Sequence, residues 1–221
     1  MSRPDRSCTG SRASITANLA GFERAALPLD GRRPASVAVC LLTQPGSGRT
    51  GGTGAADRGD ACCLLITRRA PSLRAHAGQW ALPGGGRDAG ESATGAAIRE
   101  LREETGVRVA PDDVLGVLDD YPTRSGYLIT PVVVWGGPAS PDMRGPAGEV
   151  ARIYVMPVAG FDVEPRLISI PESPAPVIQL PILGGWLHAP TAAIVYQFCQ
   201  VGLHGRATRV AHFEQPVFAW K

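Results

Sequence analysis

Glu100, Glu103 and Glu104 stand at positions i, i+3 and i+4. On a helix that spacing projects three carboxylates from one face, with Cβ atoms about 5–6 Å apart. Like charges so close repel one another unless a divalent cation sits among them. An oxygen-only donor set on a short polar face suits Mg²⁺ or Mn²⁺ better than zinc. A cation held this way keeps positions open for phosphate oxygens and for water, so it can neutralise a diphosphate and activate a nucleophile. The bland alternative, a solvated acidic helix face, must be weighed against what surrounds the three acids.

The surroundings favour chemistry. Pro83-Gly84-Gly85-Gly86 and Asp88-Ala89-Gly90 form a turn-rich loop able to bring main-chain groups close to a metal or phosphate. Ser92 is placed to cap the helix, and Ala93, Ala96, Ala97, Ile98 and Leu101 give it a small apolar side for packing on a sheet. Thr105-Gly106 supplies the stop. Gly95, inside the helix, costs about 1 kcal/mol relative to alanine.

The elements around this helix are readable from periodicity. Residues 35–42, 62–67, 114–118, 128–135 and 150–155 read as strands, and 191–201 as a second helix. Ile15, Leu19 and Phe22 suggest a short amphipathic helix within a lead-in of residues 1–35, ahead of one domain over 36–221. Residues 44–60 are expected to be a Gly-rich hairpin insertion; no Gly-Lys-Ser/Thr follows to make it a phosphate loop. Strands in mixed order without regular βαβ repetition argue for an α+β fold or mixed sandwich rather than a doubly wound sheet.

Composition excludes several partners. A chain of 221 residues with 44% hydrophobic content can bury a full core. A net charge of +2, with no stripe of basic residues interleaved with aromatics, points away from nucleic acid. No apolar run approaches the roughly 20 residues of a membrane helix, so a cytoplasmic location is expected, with Arg3, Arg6 and Arg12 leaving an organelle leader open. Cys8, Cys40, Cys62, Cys63 and Cys199 lack metal-site spacing and read as reduced residues. The aromatic stretch from Val210 to Lys221 is expected to dock as a strand or cover, or to serve a homodimer contact.

From Gly85 through Glu91 to Arg99-Glu100-Leu101-Arg102-Glu103-Glu104-Thr105-Gly106-Val107, the chain resembles the Nudix box, G-x5-E-x7-R-E-U-x-E-E-x-G-U with U aliphatic, at every specified position. The resemblance implies the Nudix fold, a mixed β-sheet sandwiched between helices (α/β/α). It also implies Mg²⁺- or Mn²⁺-dependent attack of water on a small-molecule diphosphate. Glu103 and Glu104 would be the main metal ligands, with Glu100 and the Gly85 carbonyl completing the site. Arg99 would orient Glu103, and Glu91 would pair with Arg99 or support the metal through water. The general base is left between Glu100 and Glu149. His76, His188, His204 and His212 are scattered and read as structural.

Upstream, Leu65-Ile66-Thr67-Arg68-Arg69-Ala70, then Arg74, Gly78 and Leu82-Pro83-Gly84-Gly85, resemble the signature of the coenzyme A diphosphatase subfamily; Ile66 and Leu82 depart from its leucine and phenylalanine. Thr123-Arg124-Ser125-Gly126-Tyr127 and Glu149-Val150 are similar to that subfamily too. Products would be 3′,5′-ADP and 4′-phosphopantetheine. Arg68, Arg69, Arg74 and Gly78 are the substrate-binding candidates, because guanidinium forks match phosphate oxygens bidentately. Pro122, where ADP-ribose diphosphatases of the superfamily tend to carry proline, keeps ADP-ribose as the alternative substrate. A ligand sensor on the same fold would be expected to lose box carboxylates; a housecleaning enzyme for modified nucleoside triphosphates would want a stacking pocket, for which Trp80 and Tyr127 are candidates.

Overall fold

A computed structural model of the chain describes residues 10–44, 61–71, 78–146 and 148–220. Of the expected insertion at 44–60 only Gln44 is described, as the last residue of a strand; 45–60, with Cys8, Arg74, His76 and Lys221, lie outside these residues. Along the chain come α1 (Arg12–Ala20), β1 (Arg33–Gln44), β2 (Ala61–Arg69), β3 (Trp80–Ala81), β4 (Gly84–Gly86) and α2 (Ala93–Thr105). Then follow β5 (Val114–Val117), β6 (Tyr121–Pro122), β7 (Tyr127–Pro138), β8 (Val150–Pro157), β9 (Arg166–Ile170), β10 (Ser173–Ile182), β11 (Gly185–His188) and α3 (Thr191–Phe198).

Strand β1 is the spine. It runs parallel to β7 and antiparallel to β2, while its first residues also pair with β4. Among the described residues β1 to β8 form one mixed eight-stranded sheet, and β9 to β11 a separate three-stranded antiparallel sheet. Alternation along β1 sends successive side chains to opposite faces. Ala38, Cys40 and Leu42 pack with Ala97 and Leu101 of α2. Val39 and Leu41 belong to the other core layer, with Ile15 and Leu19 of α1 and Phe198 of α3. The result is the α/β/α sandwich, in which each fully buried Leu or Ile stabilises the fold by roughly 1.5–3 kcal/mol.

Local signals explain the box helix. Ser92 accepts a hydrogen bond from the Gly95 N–H at 3.0 Å, and Gly106 closes the helix with φ +76°, donating to the Arg102 carbonyl. Helix α1 lies within the expected lead-in, yet Ile15 and Leu19 are buried in the main core. The second helix ends at Phe198 and continues as a π-helical turn over Cys199–Leu203. Cys40, Cys62 and Cys199 are free thiols, and burial pushes Cys40 up to about 12. Among the described residues no helix is long and apolar enough to cross a membrane.

Candidate active site

The loop from Leu82 to Gly86 and helix α2 meet at close range, which is why glycine stands at 84 and 85. A Cβ on Gly84 would lie 2.4 Å from the Ser36 carbonyl oxygen; one on Gly85 would lie 2.4 Å from Glu100 Oε1. Strand β4, paired to β1, therefore brings its main chain directly against the acids of the helix.

Arg99 organises those acids. Its Nε donates to Glu91 Oε1 and its Nη2 to Glu91 Oε2, both at 2.9 Å, while Nη1 reaches Glu100 Oε1 at 2.7 Å and Glu103 Oε2 at 3.3 Å. Nη2 also donates to the Gly86 carbonyl. The Asp88 N–H donates to Glu91, and these bonds hold Glu91 down at about 2, the Arg99 side chain being the larger cause. Glu91 therefore pairs with Arg99. Arg99 spans loop and helix, and its one guanidinium compensates three carboxylates.

Glu104 is different. It is 8% exposed and accepts a long hydrogen bond, 3.3 Å, from the Gly84 N–H. Burial pushes it up to about 7, helped by Glu100 and Glu149 and opposed by Gly84 and Arg69. Those influences put Arg69, Glu100 and Glu149 around one buried carboxylate. Glu103 lies half exposed on the outer side, and Glu149 is exposed just before β8.

Among the described residues no three His, Cys, Asp or Glu side chains gather into one ready-made metal cluster. Arg99 draws Glu100 and Glu103 to itself, while Glu104 turns to Gly84. The donor chemistry still fits a hard divalent cation: carboxylate oxygens beside exposed main chain, with a buried acid whose ionised form lacks a full counter-charge.

A cavity of about 360 Å³ opens beside Glu104 and Gly84–Gly86. Arg69 lines it, and its Nε is buried without a hydrogen-bond partner. Trp80 and Tyr127 stand in the walls, with Val37, Leu82, Ile129 and Ile194 as apolar lining. Thr123, Ser125, Gln215 and Ala219 also line it.

The candidates from sequence thus divide. Gly85, Arg99, Glu100, Glu103 and Glu104 come together, with Arg69 and Glu149 close by. Arg68 points elsewhere: it is exposed, donates to the Gly78 carbonyl at 3.1 Å, and lies 5.1 Å over the Trp80 ring. Gly78 provides that carbonyl at φ +66° and does not line the cavity. His204 pairs with Asp162, His212 packs against Phe213 and His188 meets Phe218 edge-on. Gln215 and Ala219 came with no sequence signal for this site. The chain end docks as a cover: Tyr121 donates to the Phe213 carbonyl, Glu214 pairs with Arg124, and Trp220 Nε1 donates to the Gln215 carbonyl.

Residues 49–170 match the family model described as NUDIX domain. The chain is 43% identical over 99 residues to "Uncharacterized Nudix hydrolase NudL" of Cronobacter sakazakii (strain ATCC BAA-894), and 42% identical over the same length to the protein of that name from Escherichia coli (strain K12). Each match covers 43% of this chain, and the chain spans only half the length of those relatives. Among solved structures it is similar to a "MutT/nudix family protein" from Enterococcus faecalis, at 16% identity and a TM-score of 0.45, over 85% of this chain and 67% of that one.

Proposed function

Because the chain belongs to the Nudix family, we propose that it hydrolyses the diphosphate of coenzyme A or its derivatives with Mg²⁺ or Mn²⁺, yielding 3′,5′-ADP and 4′-phosphopantetheine. The observation that carries the reading is Arg69. It occupies a position of the coenzyme A signature running from Leu65 to Gly84, lines the cavity beside Glu104, and keeps a buried Nε without a partner.

Glu100, Glu103 and Glu104, with the Gly85 main chain, would hold the cation. Bound there, it neutralises the diphosphate and lowers the pKa of a water. Arg99 keeps Glu100 and Glu103 against the loop by direct hydrogen bonds. Arg69 offers positive charge to phosphate oxygens from a partly buried position, where such charge acts more strongly than in water. Glu149 or Glu100 takes the proton of the attacking water as the bond between phosphorus and the bridging oxygen breaks. Arg74 stands in the same signature and supplies a second cation for the 3′-phosphate.

Phosphate-coupled turnover with Mg²⁺ across coenzyme A, acyl-coenzyme A, ADP-ribose, NADH and dGTP tests the proposal. Coenzyme A is expected to give the highest kcat/KM. A preference for ADP-ribose would overturn the substrate, and no turnover of any compound with either metal would overturn the hydrolase reading.

A further inference from the structure

Gln215 is 1% exposed and belongs to the wall of the cavity. Its Oε1 accepts a hydrogen bond from the Arg124 N–H at 3.1 Å. A backbone N–H can only donate, so this bond fixes which end of the amide is oxygen. The other end, Nε2, is buried and has no partner. Leaving a buried amide donor unpaired is costly, and native structures rarely tolerate it without a reason.

The side chain is held rather than loose. Its own N–H donates to Glu214 Oε1 at 2.8 Å, its carbonyl accepts from Trp220, and Arg124 is anchored by Glu214 on one side with the Trp220 ring 5.1 Å away. The same cavity presents two aromatic rings. Tyr127 has the Arg33 guanidinium stacked 4.0 Å from its centroid, and Trp80 is braced by Arg68 and by the edge of Tyr154. Rigid aromatic walls with apolar lining suit a planar ring, and an unpaired donor on a buried residue of the same wall suits an acceptor on that ring.

We propose that Gln215 is a specificity-determining residue that donates from Nε2 to a ring nitrogen of a nucleobase seated in this cavity, adenine being the base. The inference rests on the coenzyme A reading for the identity of the base, but it concerns binding and can be tested without turnover.

Calorimetric titration of the whole protein with ADP, and with its 1-deaza, 3-deaza and 7-deaza counterparts, provides that test. Gln215→Glu keeps an acceptor for the Arg124 N–H while removing the donor; Gln215→Met removes both and, with melting curves, separates folding from recognition. Each variant is expected to weaken ADP binding about tenfold or more. One deaza analogue should cost the wild-type protein a similar factor while costing the variants less than about twofold, the mark of a shared hydrogen bond. Equal penalties in wild type and variants for all three analogues would overturn the assignment. Turnover of a diphosphate substrate without measurable ADP binding would overturn it and leave the hydrolase standing, whereas ADP binding without turnover would do the reverse.

Discussion

Arg99 meets Glu91 through two parallel hydrogen bonds, Nε to Oε1 and Nη2 to Oε2, each 2.9 Å long. The pair ties the loop before α2 to the helix itself, and the same guanidinium then reaches Glu100 and Glu103. Glu91 is thus a positioning residue for acids it does not touch. Glu91→Gln is expected to lower kcat about 10- to 100-fold, in the range of losses for residues that orient ligands. Glu103→Gln should lower it on the order of 10³-fold, since it removes a charge proposed to hold the metal. Steady-state kinetics at saturating Mg²⁺ separates the two, and equal losses would deny Glu91 its indirect role.

Gly84 and Gly85 should fail differently. A Cβ at 84 meets main chain and the Val37 side chain, which cannot move cheaply, so Gly84→Ala is expected to destabilise the protein by about 1–3 kcal/mol in denaturant titration. A Cβ at 85 meets the far end of Glu100, which can swing away. Gly85→Ala should therefore melt near the wild-type temperature while losing most of its turnover.

The docking of the chain end carries its own pH dependence. Glu214 is held at about 2, against its ordinary 4.5, mainly by hydrogen bonds from Arg124. A depressed carboxylate contributes stability that is fully present above the unfolded value and lost as pH falls toward the folded one. Arg124→Ala should thus lower the melting temperature most at pH 5 and above, and the gap to wild type should narrow steadily between pH 4.5 and 2. A gap of constant size would rule out this ion pair as its source.

Arg69 and Arg74 are expected to part on substrate. Arg69 lies beside Glu104, so Arg69→Ala should raise KM by about tenfold for coenzyme A and dephospho-coenzyme A alike. Arg74→Ala should penalise coenzyme A much more than dephospho-coenzyme A. Equal losses in the second variant would reject its assignment to the 3′-phosphate.

Much of the acidic half of this candidate site is legible because its determinants are local. Ser92, the alanines, Leu101, the three glutamates and Gly106 fall within fifteen consecutive residues, so a single helical period orders them. The strands of the large sheet show themselves through apolar runs such as Val132–Val134. The three-stranded sheet does not, because Pro171, Pro174, Pro176 and Pro181 punctuate β10 and its approach and mask its alternation. Gln215 is silent for a different reason: its partner Arg124 is 91 residues away, and no periodicity reports a contact at that range. Arg68 misleads because it adjoins Arg69 in the same run, yet the strand pairing is irregular between the two: Arg69 lines the cavity, whereas Arg68 lies exposed over the Trp80 ring.

The cover formed by Gln215 and Ala219 gives the molecule a division of labour. Residues proposed for bond cleavage are confined to a short stretch ahead of Val107 and to Glu149, whereas the wall opposite is assembled from Pro190, Thr191, Ile194 and the final segment. On the proposed function, substitutions in that wall would redirect which molecule is accepted while leaving the proposed cleavage residues in place. The box and the chain end are therefore free to diverge at different rates, and a family likeness in the first leaves the second to be read on its own.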